Sequence, residues 1–234
     1  MPKNTSTLWW VIGGVLVVAA GLIALGHYSA APATTGTTSS STSSGSGAVA
    51  DSSALPGIQL GNAPWVPEIL HLRERLTAIG LPALAQEGTV LHIHQHLDIF
   101  IDGKPMAVPA EIGINAAAGF ISPIHVHDTS GIMHVESPVT QTFYLGQFFD
   151  IWGVRLTSAC IGGYCATTAS STSANAGSTQ KDTKSVKVYV NGTLYQGDPR
   201  QLVLTSHQEI VIAYGTDAET PKAIPAAYTF PAGY

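Results

Sequence analysis

The chain has 234 residues, a formal net charge of −5, and 11% charged against 45% hydrophobic residues. No basic block lies beyond the first few residues, so the electrostatic footprint of a nucleic-acid-binding protein is missing. The acidic body offers an anionic lipid surface nothing to attract.

Part of the apolar excess sits in one run, LWWVIGGVLVVAAGLIALG at 8–26. A helix of that length spans roughly 30 Å, one hydrocarbon core. Lys3 and the terminal amine precede it, and Trp9 and Trp10 sit at its start as interfacial anchors would. The pattern predicts a transmembrane anchor at 8–26, with 1–7 in the cytoplasm and the folded part outside it. A cleaved signal segment, with small residues at Ser29-Ala30-Ala31, is the alternative and gives a secreted protein. Residues 27–54 are rich in Ser, Thr, Gly and Ala and read as a flexible linker. A sparser stretch of the same kind predicts a disordered insertion at 167–183. The remainder reads as a His-rich, β-rich module at 55–166 and a C-terminal β-rich segment at 184–234, with a Pro-containing tail, packed on the first.

In chain order, Asn62-Ala63-Pro64-Trp65 opens an expected helix. Ile69, Leu72, Leu76 and Ile79 recur at helical spacing, Asn62 can cap, and Gly80 suits the exit. Glu68, Arg73, Glu74 and Arg75 belong on its wetter side. Val90 to Ile101 alternates as a strand. One face carries Leu91, Ile93, Leu97, Ile99 and Ile101; the other carries His92, His94, His96, Asp98 and Phe100. A turn follows at Asp102-Gly103. Ile124–His127 and Ile132–Glu136 read as short strands joined through Asp128-Thr129-Ser130-Gly131. LGQFFDIW predicts a short helix ended by Gly153, with Phe148, Phe149 and Trp152 in the core. Val186–Val190, a turn at Asn191-Gly192, and Glu209–Tyr214 complete the strands. VKVYVNGTLYQ faintly echoes HLDIFIDGKPM, a pattern resembling half of a β-grasp-type module. The fold class expected is mainly β (a sandwich, a barrel or paired β-rich modules) with one or two short helices plus the N-terminal transmembrane helix.

The chemistry concentrates in His92-x-His94-x-His96, His125-x-His127 and His134. Alternate residues of a strand share a face and lie roughly 6.6 Å apart, so one straight strand rarely closes three ligands on one ion. Two converge more easily with help from a neighbouring strand. Neutral imidazole donates a lone pair near pH 7 and suits Cu(II) and Zn(II), and also Fe and Ni. Asp98, Asp128 and Glu136 are candidate carboxylate ligands or orienting partners of the imidazole N–H groups. A pH-sensing cluster and plain structural use are the competing readings. Cupins also hold metal with an HxH pair, but Glu136 stands beyond His134 and not at that family's spacing. The Cys–His–Met loop of cupredoxins is missing.

Cys160 and Cys165 flank IGGY, and a local disulfide is the expected form. A dithiol metal site and a redox pair are the alternatives. HLDIFIDGKPMAVPAEIGI, PIHVHDTSGIMHVESP, LGQFFDIWGVRL and CIGGYC resemble passages of a group of uncharacterised exported, membrane-anchored bacterial proteins. The resemblance covers most of residues 88–215. It implies export and metal contact and carries over no activity or catalytic residue.

Together these readings give a membrane-tethered, extracytoplasmic protein that binds copper or zinc for storage, delivery or detoxification. Its expected partners are the membrane, the metal ion and a membrane or exported protein. A metalloenzyme with an open, His-ligated metal position and a structural or adhesive surface protein are the alternatives.

Overall fold

The computed structural model describes residues 52–167 and 183–234. Their order is α1 (Leu72–Ala78), β1 (Leu91–Ile101), β2 (Lys104–Met106), β3 (Ile114–Asn115), β4 (Phe120–Ile121), β5 (Ile124–His125), β6 (Ile132–Ser137), α2 (Leu145–Trp152), β7 (Cys160–Ile161), β8 (Tyr164–Cys165), β9 (Ser185–Val190), β10 (Thr193–Leu194) and β11 (Glu209–Gly215).

One mixed sheet organises these elements. Its strand order is β10-β9-β11-β1-β6-β5, with β2 also paired to β1. The long strand β1 lies at its centre, antiparallel to β6 and parallel to β11. Two tight hairpins flank it. Asp102 and Gly103 close β1–β2 with φ 51° and 74°, and Asn191 and Gly192 close β9–β10 with φ 50° and 77°. Two successive left-handed residues are what a primed hairpin turn demands. The two stretches that echo each other in sequence thus form equivalent hairpins.

The period of two along β1 sends Leu97 and Ile99 to one face, where Met133 and Val135 of β6 and Ile210 and Ile212 of β11 join them. Leu72 and Leu76 of α1 and Phe148, Phe149 and Trp152 of α2 belong to the same core. Each such side chain contributes about 1.5–3 kcal/mol on full burial. Gly153, at φ 80°, ends α2 in the left-handed conformation.

The first helix is shorter than its apolar spacing predicts. Pro64 and Pro67 bias the residues before them towards extended backbone. The Glu68 carboxylate then accepts the backbone N–H groups of Leu70 and His71, at 3.2 and 3.2–3.3 Å, and the helix starts only at Leu72. Arg75, expected on the wet side, is fully buried. It pairs with Glu68, and its Nε and Nη2 donate to the Asp150 and Ile151 carbonyls at 2.7 and 3.1 Å. The guanidinium thereby ties α1 to the last turn of α2. Cys160 and Cys165 face each other across β7–β8 and form a disulfide.

The sandwich, barrel and paired-module expectations are corrected by this sheet. The core is a single mixed β-sheet with two short helices on its apolar face. The transmembrane expectation is corrected as well. Among the described residues no helix is long and apolar enough to cross a membrane. At 1.5 Å per residue, the seven and eight residues of α1 and α2 reach about 10–12 Å, well short of a hydrocarbon core of about 30 Å. The run at 8–26, its cleavage alternative, the linker before Ser52 and residues 168–182 of the insertion lie outside the described residues. No membrane-tethered function, no membrane partner through an N-terminal helix and no single-pass localisation follows from the described residues.

A second buried ion pair locks the helical side of the sheet. Arg200 Nη2 donates to both Asp150 oxygens, at 2.8 and 3.0 Å, and Nη1 to the Leu156 carbonyl at 3.3 Å. Both side chains are almost wholly buried. Removing one partner leaves an uncompensated buried charge. Arg200→Met should therefore destabilise the protein by about 3–5 kcal/mol in urea unfolding; a loss below 1 kcal/mol would contradict this role.

Candidate metal centre

The polar face of the same sheet carries the histidines. Opposed residues on paired strands project to one side. The β1–β6 register sets His94 opposite His134 and His92 opposite Glu136. The β5–β6 register sets His125 opposite the same His134. One row across three strands is therefore His94, His134, His125. Val126 turns into the apolar core, and His127 returns to the same side as His125.

The imidazoles are close. His92 Nε2 and His94 Nε2 are 3.1 Å apart, and so are His125 Nε2 and His127 Nε2. The His134 ring lies 4.5–5.2 Å, centroid to centroid, from the rings of His94, His125 and His127. Two donors bound at about 2.0–2.1 Å to one tetrahedral ion are about 3.3 Å apart, close to the observed nitrogen separations. The surroundings also fix the tautomers. His125 Nδ1–H donates to the Ser122 carbonyl at 3.0 Å, and His134 Nδ1 lies 3.1 Å from Glu136 Oε1, where it donates to the carboxylate. Nε2 is then the lone-pair atom in both rings. This is the outer support that metal-ligating histidines ordinarily have.

The donors fall into two overlapping sets, each with its ligand atoms within 4.8 Å of one another. One is His92, His94, His134 and Glu136; the other is His125, His127, His134 and Glu136. These clusters can coordinate a transition-metal ion. The interior of the centre is dry and its rim is wet. The His125 and His134 side chains are 0% and 8% exposed, whereas His127 and His92 are 42% and 52% exposed.

His96 behaves differently although it follows the same alternation. It is opposed to Glu209 across the β1–β11 pair, and its Nδ1 lies 2.8 Å from Glu209 Oε2. Its Nε2–H donates to the Ser130 carbonyl at 2.9 Å. Tyr228 stacks on its ring at 3.8 Å with planes 8° apart. His96, Asp98 and Glu209 form a third set that shares no residue with the other two. Gly131 permits this approach. Its φ is 84°, and a Cβ there would meet the Leu97 carbonyl at 2.7 Å and His96 Nε2 at 3.1 Å. Asp128 joins none of the sets; its exposed carboxylate accepts the Ser130 N–H at 2.8 Å and shapes the turn.

No protein-family model, curated protein or solved structure matches this chain. The chemistry of the centre therefore has to be read from its own residues.

Sequence reasoning missed Glu87, Glu209, Tyr228 and Tyr234. Glu87 Oε1 stands 3.4 Å from His127 Nε2 and 4.0 Å from His125 Nε2. The Tyr234 ring lies 4.7 Å from that of His94 and 5.5 Å from that of His134. Glu87 sits in a loop without alternation. The other three reach the site only through long-range contacts, so no local pattern marks them.

The electrostatics separate the buried histidines of the two overlapping sets from His96. Burial, then the neighbouring His92, pushes His94 down to about 4. Burial, then the adjoining His127 for one and His125 for the other, pushes His125 and His134 to about 3. All three rings stay neutral at pH 7. Burial and then the facing Glu87 carboxyl raise Glu136 to about 7. For His96, burial opposes protonation, but Glu209 and the Ser130 carbonyl outweigh it and raise the value.

These shifts fix a pH dependence for the metal-stripped protein. As pH falls through 6.5, the unfolded chain protonates His94, His125 and His134 while the folded chain does not. Their contribution to stability, full above 6.5, is thus lost as pH falls towards 4. Glu136 acts oppositely, its contribution being lost as pH rises through 7, but it is one group against three. The melting temperature should fall between pH 6.5 and 4, followed by near-UV circular dichroism in the presence of a chelator. A flat profile would contradict the assigned protonation states.

Proposed function

We propose that this protein is a transition-metal-binding protein that holds copper(II) or zinc(II) on the histidine face of its sheet. The observation that carries the reading is the pair of 3.1 Å Nε2–Nε2 separations, from two HxH motifs on different strands around His134. Uncharged rings at that spacing, with His125 and His134 held by Nδ1–H bonds, match an ion's bite better than they match a hydrogen-bonded structural cluster. Borderline-soft ions suit imidazole with one carboxylate. Among the described residues, Met133 is buried on the opposite, apolar face and Met106 packs against that core, so neither brings a thioether to the histidine face. The exposed His92 and His127 rings give the ion a route in and out, which fits reversible holding and transfer.

His134 belongs to both sets, so His134→Ala should weaken binding of Cu(II) or Zn(II) more than the roughly 10–100-fold typical of an outer-shell loss. His96 has both ring nitrogens engaged by Glu209 and Ser130, so His96→Ala should leave the affinity within about 3-fold. Elemental analysis of untagged protein and chelator competition measure both. No bound metal and no uptake on titration of folded protein would overturn the proposal, and a larger loss for His96→Ala than for His134→Ala would relocate the site.

A further inference from the structure

Resting on the metal-binding reading, we infer that the centre holds two ions, with the Glu136 carboxylate bridging them. The first observation is the layout of the donors. The strand β6 contributes His134 and Glu136 and runs between β1, which brings His92 and His94, and β5, which leads into His127 from His125. Adjacent strands lie about 4.8 Å apart, so the backbones carrying the two HxH pairs are about 9–10 Å apart. Two ligands of one ion are at most about 4.2 Å apart when bonds are about 2.1 Å long. Each pair already has the bite of its own ion at 3.1 Å. The donors accordingly form two sets that share His134 and Glu136, and not one set of six.

The second observation is the placement of the carboxylates. Glu136 is buried and belongs to both donor sets; its Oε1 lies 3.2 Å from His92 Nε2 and accepts the His134 Nδ1–H at 3.1 Å, which leaves Oε2 for a further ligand bond. A carboxylate has two oxygens and several lone pairs, so it can serve an ion on each flank. Glu87 stands at the outer end of the second set, 3.4 Å from His127 Nε2, and within hydrogen-bonding reach of Glu136. Two carboxylates directed at one another repel unless a proton or cations lie between them. Two divalent ions would supply that charge, and the bridge would offset the repulsion between them. Ion pairs held in this way sit about 3.5–4 Å apart. His92, His94 and Glu136 then serve the first ion. His125, His127, His134 and Glu136 serve the second, with Glu87 at its rim.

The test titrates the untagged, metal-stripped full chain with Zn(II) by calorimetry and counts equivalents by elemental analysis. Wild type should take two. The double variants His92→Ala/His94→Ala and His125→Ala/His127→Ala should each take one, with far-UV circular dichroism confirming that they fold. One equivalent in wild type overturns the two-ion inference and leaves the metal-binding reading intact; none overturns both. The bridge is read separately on wild type loaded with Cu(II). Magnetically coupled ions, giving an EPR integral well below two spins, support it. Two full, uncoupled spins at two equivalents overturn Glu136 as the bridge, whether or not the variants fold.

Discussion

The centre depends on strand register. His94, His134 and His125 form a row only because β1, β6 and β5 pair with those residues opposed. A slip of one residue in β6 would turn His134 and Glu136 into the apolar core and bring Val135 to the polar face. The register is held from the other side of the sheet. Leu97, Ile99, Met133, Val135 and Ile124 are buried in one core with Phe148, Phe149 and Trp152 of α2, and the buried pairs of Arg75 and Arg200 hold α2 in place. The apolar packing and the ligand geometry are thus two faces of one constraint.

The same sheet produces two opposite histidine chemistries two residues apart. His94 is buried among other imidazoles, and burial first and then His92 make it lose its proton readily. His96 faces a buried carboxylate and a carbonyl, which outweigh its burial and make it hold a proton more tightly than a free imidazole. His96 falls in a different donor set from His92 and His94, so the alternation His-x-His-x-His is not one ligand set. Its last member serves to join β1, β11 and the turn before β6. The environment of each ring, not its residue type, decides which role it takes.

The C-terminal tail belongs to this face. Tyr228 stacks on His96, Phe230 lies 4.8 Å from the His207 ring, and Tyr234 approaches His94. His207 donates its backbone N–H to the His94 carbonyl at 2.7 Å and accepts its own place in a left-handed turn at φ 60°. Tyr234 lies beside the His94 and His134 rings, while the His92 and His127 rings stay open to solvent.

Local pattern alone determined a good deal. The period of two in 91–101 placed the histidines on one face, Asp102-Gly103 and Asn191-Gly192 placed the hairpins, and LGQFFDIW with Gly153 placed α2. These are short-range consequences of side-chain alternation, left-handed turn residues and helical spacing, and they are written in adjacent residues. Six histidines at such spacing were enough to point to a metal. Only the tertiary structure decided the rest. The parallel pairing of β1 with β11 joins residues more than a hundred positions apart and leaves no local trace, so Glu209 and the fate of His96 were invisible. Glu87, the tail tyrosines and the sharing of His134 and Glu136 by two donor sets likewise arise from strand order. The start of α1 was misread for a related reason: apolar spacing reports a buried face, but Pro67 and the Glu68 carboxylate decide where the backbone can begin to coil.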